Sequence, residues 1–172
     1  MKQRRRVVIS AALAVAGCAG VTPVEDPDRR IEAVYDVPGV SQTEIFTATK
    51  IWIANNFRST VSVIKYESAA DGILIGNGTV AFPCAGGACA GKGNWTVPFT
   101  VRSDMQDGRF RLQFSNVRLK WPATSYGPPP YDGPVRPQEN WEPIKSKLLS
   151  LGPELAQFIE QSKKRRDSDP LR

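Results

Sequence analysis

The sequence predicts an α+β fold in the order β-α-β-β-β-β-α, an antiparallel sheet with two helices packed on one face. Three observations carry this. A serine-capped amphipathic segment follows a single strand-like run, four further strand-like runs come in succession between turn signals, and a long segment near the end shows one broad apolar helical face. Strands grouped between two helices bury their apolar side best when both helices gather on one face of one sheet.

The first strand is IEAVYDV, residues 31–37, ended by Pro38 and Gly39. Ser41-Gln42-Thr43-Glu44 then reads as a capping box, in which the serine hydroxyl takes a free backbone N–H and the glutamate reaches back. Behind it Ile45, Ala48 and Trp52 recur at helical spacing, as do Phe46, Ile53 and Phe57. The spacing predicts a helix of about four turns ending near Asn55 and Asn56, its aromatic stripe facing the core.

The four strand-like runs are TVSVIKYE, GILIGNGTVAF, NWTVPFTVRS and RFRLQFSNVRLKW, rich in β-branched and aromatic residues. Asp71-Gly72 and Asp107-Gly108 suit tight hairpins. Asn77-Gly78 reads as a local irregularity inside one long strand. In the last run Phe110, Leu112 and Phe114 share one parity, whereas Val117, Leu119 and Trp121 fall on the other. A bulge near Ser115 and Asn116 would bring both sets to the core side.

Residues 122–140 are too rich in proline for a helix or an inner strand and predict an extended connection laid on the surface. The helix that follows is expected over residues 141–166. Its broad apolar face is traced by Trp141, Ile144, Leu148, Leu151, Leu155, Phe158 and Ile159. Gly152-Pro153 lies in the middle and should kink or split it, because proline lacks an N–H and crowds the preceding turn. The cationic run 163–166 reads as a solvated helix end set well against the dipole, with contact to anionic lipid heads as the alternative. Residues 167–172 are a polar tail.

The N-terminus addresses compartment. MKQRRR is a basic leader, VVISAALAVAG an apolar run, and small residues precede Cys18, the layout of a secretory signal over residues 1–17. The apolar run is well short of the roughly 20 residues that span a bilayer. Val15-Ala16-Gly17-Cys18 resembles the lipobox of bacterial lipoproteins. That resemblance implies cleavage before Cys18 and acylation of its sulfur and amine; an ordinary cleaved signal, or a structural Cys18, is the alternative. Ala19 rather than Asp after the cysteine implies an outer-membrane lipoprotein facing the periplasm in preference to the inner membrane. Residues 18–30, polar with two prolines, form a tether of at most about 40 Å. Residues 31–166 are left as a single α+β domain.

Removing the signal takes away Lys2, Arg4, Arg5 and Arg6, so the formal charge falls from +6 to +2. The basic balance therefore gives no argument for nucleic acid as a partner. The chain has no histidine, which excludes Ser-His-Asp and Cys-His catalytic sets and zinc sites that need His.

The wording of the middle of the chain resembles a family. YDVPGVSQTEIFTATKIWIANNF, then DGILIGNGTV, then DGRFRLQFSNV, is similar to the bacterial domain of unknown function with a TATA-binding-protein-like fold. Trp52, Gly72, Gly76 and residues 107–111 occupy its characteristic places. The resemblance covers residues 31–121 and implies a fold and an exported context, with no activity, cofactor or catalytic residue to carry over. The segment 84–93 is no part of that pattern.

That segment, PCAGGACAGKGN in its longer form, nearly spells a phosphate loop through Gly86, Gly91 and Lys92. Gly93 stands where a magnesium-binding hydroxyl is required, and a strand pattern follows where a helix should. No nucleotide is expected. Cys84 and Cys89 make a poor zinc set and lack the spacing of a redox pair. In an oxidising compartment they predict a disulfide worth about 2 kcal/mol across a tight turn. No metal or cofactor is expected. Asp104 with Asp107, and Asp167 with Asp169, read as solvated charges at a turn and in the tail.

Two function classes remain. One is a non-catalytic envelope module, held to the membrane through Cys18, that binds an envelope protein or glycan or serves a structural role. The other is a histidine-independent enzyme such as a carboxylate-based glycan hydrolase, which would need two carboxylates about 5–10 Å apart in one cleft.

Overall fold

The computed structural model describes residues 31–57, 63–123, 129–135 and 138–168. Cys18, the signal, the tether and Asp169 lie outside them. The elements are β1 (Ile31–Asp36), α1 (Gln42–Asn56), β2 (Ile64–Ser68), β3 (Ile73–Ala81), β4 (Thr96–Gln106), β5 (Arg109–Ser115), β6 (Arg118–Trp121), β7 (Tyr131–Pro134) and α2 (Gln138–Asp167). The strands form one antiparallel sheet in the order β1-β5-β4-β3-β2, extended by β6 and β7, with β6 paired to β4. The α+β class and the antiparallel sheet with two helices agree with the expectation.

Alternation along the strands produces the layers. In β4, Val97, Phe99, Val101, Ser103 and Met105 are buried, while the residues between them face away from the core. Phe110, Leu112 and Phe114 on β5 continue the buried side. Against it lie Ile45, Phe46, Trp52 and Ile53 of α1 and Ile144, Leu148, Leu155 and Ile159 of α2. The capping box of α1 forms as expected, the Ser41 N–H donating to Glu44 Oε2 at 2.8 Å and the Glu44 N–H to Ser41 Oγ at 3.4 Å. Phe57 turns back on the core edge-on to Trp52 and Phe99. Gly72 ends the β2–β3 turn at φ +65°, where a Cβ would run into the Met105 carbonyl oxygen, so no other residue fits.

The last long run divides into β5 and β6 at Asn116, which takes φ 50°. Thr100 faces Ser115 and Thr96 faces Lys120, so the register against β4 slips by one residue between them. That is a bulge in effect, and it turns Leu119 into the core although its parity is opposite to that of Phe114.

Three expectations need correction. The connection over residues 122–140 is not wholly irregular: Tyr131–Pro134 pairs with β6 as an edge strand, and α2 begins at Gln138 rather than residue 141. Pro134 is tolerated there because it closes an edge strand. The second helix runs to Asp167, beyond the expected 166. Most notably, Gly152-Pro153 does not split α2, which is continuous with both Pro143 and Pro153 inside it.

Tyr35 supplies the reason. Pro153 has no N–H for the Leu149 carbonyl one turn back. The Tyr35 hydroxyl donates to that carbonyl oxygen at 2.9 Å. The Tyr35 ring stacks on Phe110 and lies against the bare backbone of Gly152, where any Cβ would collide with it. The Gly-Pro pair is therefore a docking notch for β1.

Candidate functional site

The connection between β3 and β4 builds one wall of a cleft. The Phe82 N–H donates to the Trp95 carbonyl at 2.9 Å, carrying the hairpin one step past the strand ends. Beyond it the chain folds through a 3-10 turn, Gly86–Cys89, and tight turns closed by Lys92 N–H to Cys89 O at 2.9 Å and Trp95 N–H to Lys92 O at 3.0 Å. Cys84 and Cys89 are joined by a disulfide across a Cα–Cα distance of 5.2 Å. The result is a stapled knob that presents Lys92 back over its own base. The Lys92 ammonium sits 5.4 Å from the centre of the Phe82 ring and 5.2 Å from that of Trp95. It is held over aromatic faces, which attract a cation through their quadrupole.

Trp95 stands at the head of an aromatic row. It meets Phe82 edge-on at 5.4 Å, stacks on Trp121 at 4.5 Å, and Trp121 stacks on Tyr131 at 4.5 Å. Trp121 Nε1 donates to Pro129 O at 2.8 Å, which pins the start of β7. This row fixes the β6–β7 ribbon and the root of the knob together.

The other wall is the first half of α2. Asn140, Pro143, Ser146 and Lys147 come to the cleft at helical spacing, opposite Phe82 and Ala85, and border an open groove of about 680 Å³. That volume is within the range of small-ligand sites, roughly 300–1,000 Å³. Lys147 pairs with Glu154 at 3.5 Å, and the Ser150 hydroxyl donates to the Lys147 carbonyl oxygen at 2.8 Å. Asn140 is only 7 % exposed, and its side chain lines the cleft. Among the described residues no aspartate or glutamate lines this space.

The second surface is the outer face of the sheet, which neither α1 nor α2 covers. Its centre is Asp104, 21 % exposed, gripped by Arg102 through Nε and Nη2 and by Arg111 at 2.8 Å. The Arg102 hydrogen bonds hold the Asp104 carboxyl below the usual carboxylate range; partial burial opposes the shift, and Arg111 assists it. Around this triad lie Asn77, Thr100 and Asn116, linked at 3.3 Å, with Val34 and Tyr66 exposed toward the two edges. A carboxylate held ionised between two guanidiniums is a structural anchor and a poor proton donor.

Cys84 and Cys89 thus come together in the knob; Cys18 lies outside the described residues. Lys92, singled out for its likeness to a phosphate loop, precedes β4 rather than a helix. Asp107 does not simply face solvent, since its Oδ1 accepts from the Gln42 N–H at 2.7 Å and so joins the β4–β5 turn to the start of α1. In the cationic run, Lys163 donates to Gly39 O at 2.7 Å and Arg166 pairs with Glu44 at 2.9 Å. Among the described residues no three His, Cys, Asp or Glu side chains gather as a metal set, and no helix is long and apolar enough to cross a membrane. Phe82, Asn140, Ser146 and Lys147 carry no sequence signature of a site; only packing of α2 beside the knob makes them one.

A family model described as a domain of unknown function (DUF4468) with TBP-like fold matches residues 32–120. The chain is similar to a solved TBP-like protein from Parabacteroides distasonis ATCC 8503, with a TM-score of 0.56 and 10% identity over 76% of this chain and 92% of that one. A DUF4468 family protein from Bacteroides ovatus ATCC 8483 aligns at a TM-score of 0.49 and 13% identity, over 82% of this chain and 89% of that one. No curated protein matches the sequence. The family match contains the knob and stops at residue 120, before β7 and the α2 wall of the cleft.

Proposed function

Because the chain belongs to the DUF4468 family, a domain of unknown function with TBP-like fold, we propose for it a non-catalytic binding role in the bacterial envelope, exercised through the cleft between the knob and α2. The fold licenses no activity by itself, so the reading rests on the site. The observation that carries it is the lining of the cleft: Lys92, Lys147 and the Asn140 amide over an apolar base, with no carboxylate among the described residues that line it. A carboxylate-based glycan hydrolase would need a pair of them there. The membrane attachment belongs to the same proposal and rests on the Val15-Ala16-Gly17-Cys18 motif, with Ala19 favouring the outer membrane facing the periplasm.

Site-specific photo-crosslinking in intact envelopes tests the role. A crosslinking residue at Ala85, inside the cleft, is expected to give discrete adducts, and the same residue at Gln113, on the outer sheet face, is expected to give few. Adducts confined to Gln113, or none at either position, would overturn the assignment of binding to the cleft.

A further inference from the structure

Resting on that reading of the cleft, we propose that its ligand is a short acidic peptide in an extended conformation. Three features of the site point to this class. The first is charge. Lys92 reaches the cleft from the knob and Lys147 from α2; Lys147 shares its charge with Glu154 at 3.5 Å, whereas Lys92 has no carboxylate partner among the described residues. Lys92 is held by the Phe82 and Trp95 rings rather than by a carboxylate, which leaves its three donors open to an incoming anion. Asn140 lies in the first turn of α2, so the positive end of a 30-residue helix borders the same space and adds to the field.

The second feature is Asn140 itself. Asn140 is 7 % exposed as a residue, but its amide is not among the buried polar atoms that lack a partner, and its side chain lines the cleft, where it can meet a ligand. It offers two N–H donors and one carbonyl acceptor, a set that matches the C=O and N–H of a peptide group and that a simple anion would leave half used. The third is shape. Phe82, Pro83 and Pro143 give the cleft rigid apolar walls, and the disulfide fixes the knob that carries two of them. An open groove with rigid walls and polar groups at fixed places takes an extended chain at low ordering cost. An isolated phosphate or sulfate would satisfy the lysines and leave the apolar walls and the amide without a role.

The test uses the full chain in non-ionic detergent, titrated calorimetrically with acetylated triglutamate and, in parallel, with acetylated triglutamine of the same length. Triglutamate is expected to bind saturably with one-site stoichiometry, and triglutamine at least about tenfold more weakly. Lys92→Gln and Lys147→Gln should each weaken triglutamate by about fivefold, the upper range for an exposed ion pair, and 0.5 M salt should weaken the native protein in the same sense. Asn140→Ala should weaken both peptides alike. Circular dichroism checks that each variant is folded. Were Asn140→Ala to unfold, the two lysine variants would still decide the matter. Equal binding of the two peptides, or triglutamate binding that neither lysine variant changes, would overturn the proposal, as would no binding at all. Ala85 adducts in envelopes together with silent peptide titrations would remove the ligand class and leave the binding role standing; loss of both would remove the two together.

Discussion

At the scale of single residues, the contact between Tyr35 and the Gly152-Pro153 step explains why a sequence that should break a helix does not. The Tyr35 hydroxyl takes the place of the N–H that Pro153 lacks at the Leu149 carbonyl. Tyr35→Phe should therefore cost about 1 kcal/mol, the net worth of one hydrogen bond. In a Pro153→Ala background a backbone N–H returns to Leu149, and the same Tyr35→Phe change should cost little. A double-mutant cycle by urea unfolding measures the coupling, and additivity of the two changes would count against this account. A second prediction concerns acid. Asp104 has its folded pKa depressed by Arg102 first and Arg111 after it, so it stabilises the native state at neutral pH. That contribution is present above the unfolded value near 3.8 and is lost as pH falls through the lower folded value. Asp104→Asn should lower stability at pH 7 and flatten the acid limb below about pH 4. Urea midpoints that fall in parallel for the two proteins would refute it.

Among the elements, those fixed by local chemistry were legible in the sequence and those fixed by distant contacts were not. The capping box of α1, the apolar stripes of both helices and the turns at Gly72 and Gly108 each depend on a few neighbouring residues, and each stands where the sequence puts it. The bulge near Asn116 was readable because parity reverses across it. By contrast, β7 is short and proline-flanked, and it exists because Trp121 stacks on Tyr131 and bonds to Pro129. The unbroken α2 depends on Tyr35, far away in the chain. The cleft was illegible for the same reason: Lys92 and Lys147 meet only after the knob and α2 pack side by side. The knob itself was half legible. Its cysteine pairing followed from compartment and spacing, but its position over Phe82 and Trp95 did not. Replacing both cysteines by serine should cost about 2 kcal/mol on the chain-entropy model. Reduction of the native protein should cost the same, read as a shift in the urea midpoint that the double-serine variant no longer shows.

For the molecule as a whole, the described fold begins at Ile31, and residues 19–30, if fully extended, would reach at most about 40 Å back to Cys18. If Cys18 carries acyl chains, each buried methylene adds about 0.8 kcal/mol, and two chains suffice for firm anchoring. The domain then works within one molecular diameter of the bilayer, and its cleft meets only partners that reach that layer. The consequence can be measured directly. Growth with an alkyne analogue of palmitate should label the native protein, and Cys18→Ala should abolish the label. The native chain should partition into the detergent phase, and the variant's share of that phase should fall several-fold. Because an uncleaved apolar leader could hold the variant to membranes, the label is the deciding readout. Labelling that survives Cys18→Ala, or a native chain that never labels, would detach the binding role from the membrane and leave the cleft to be explained in a free domain.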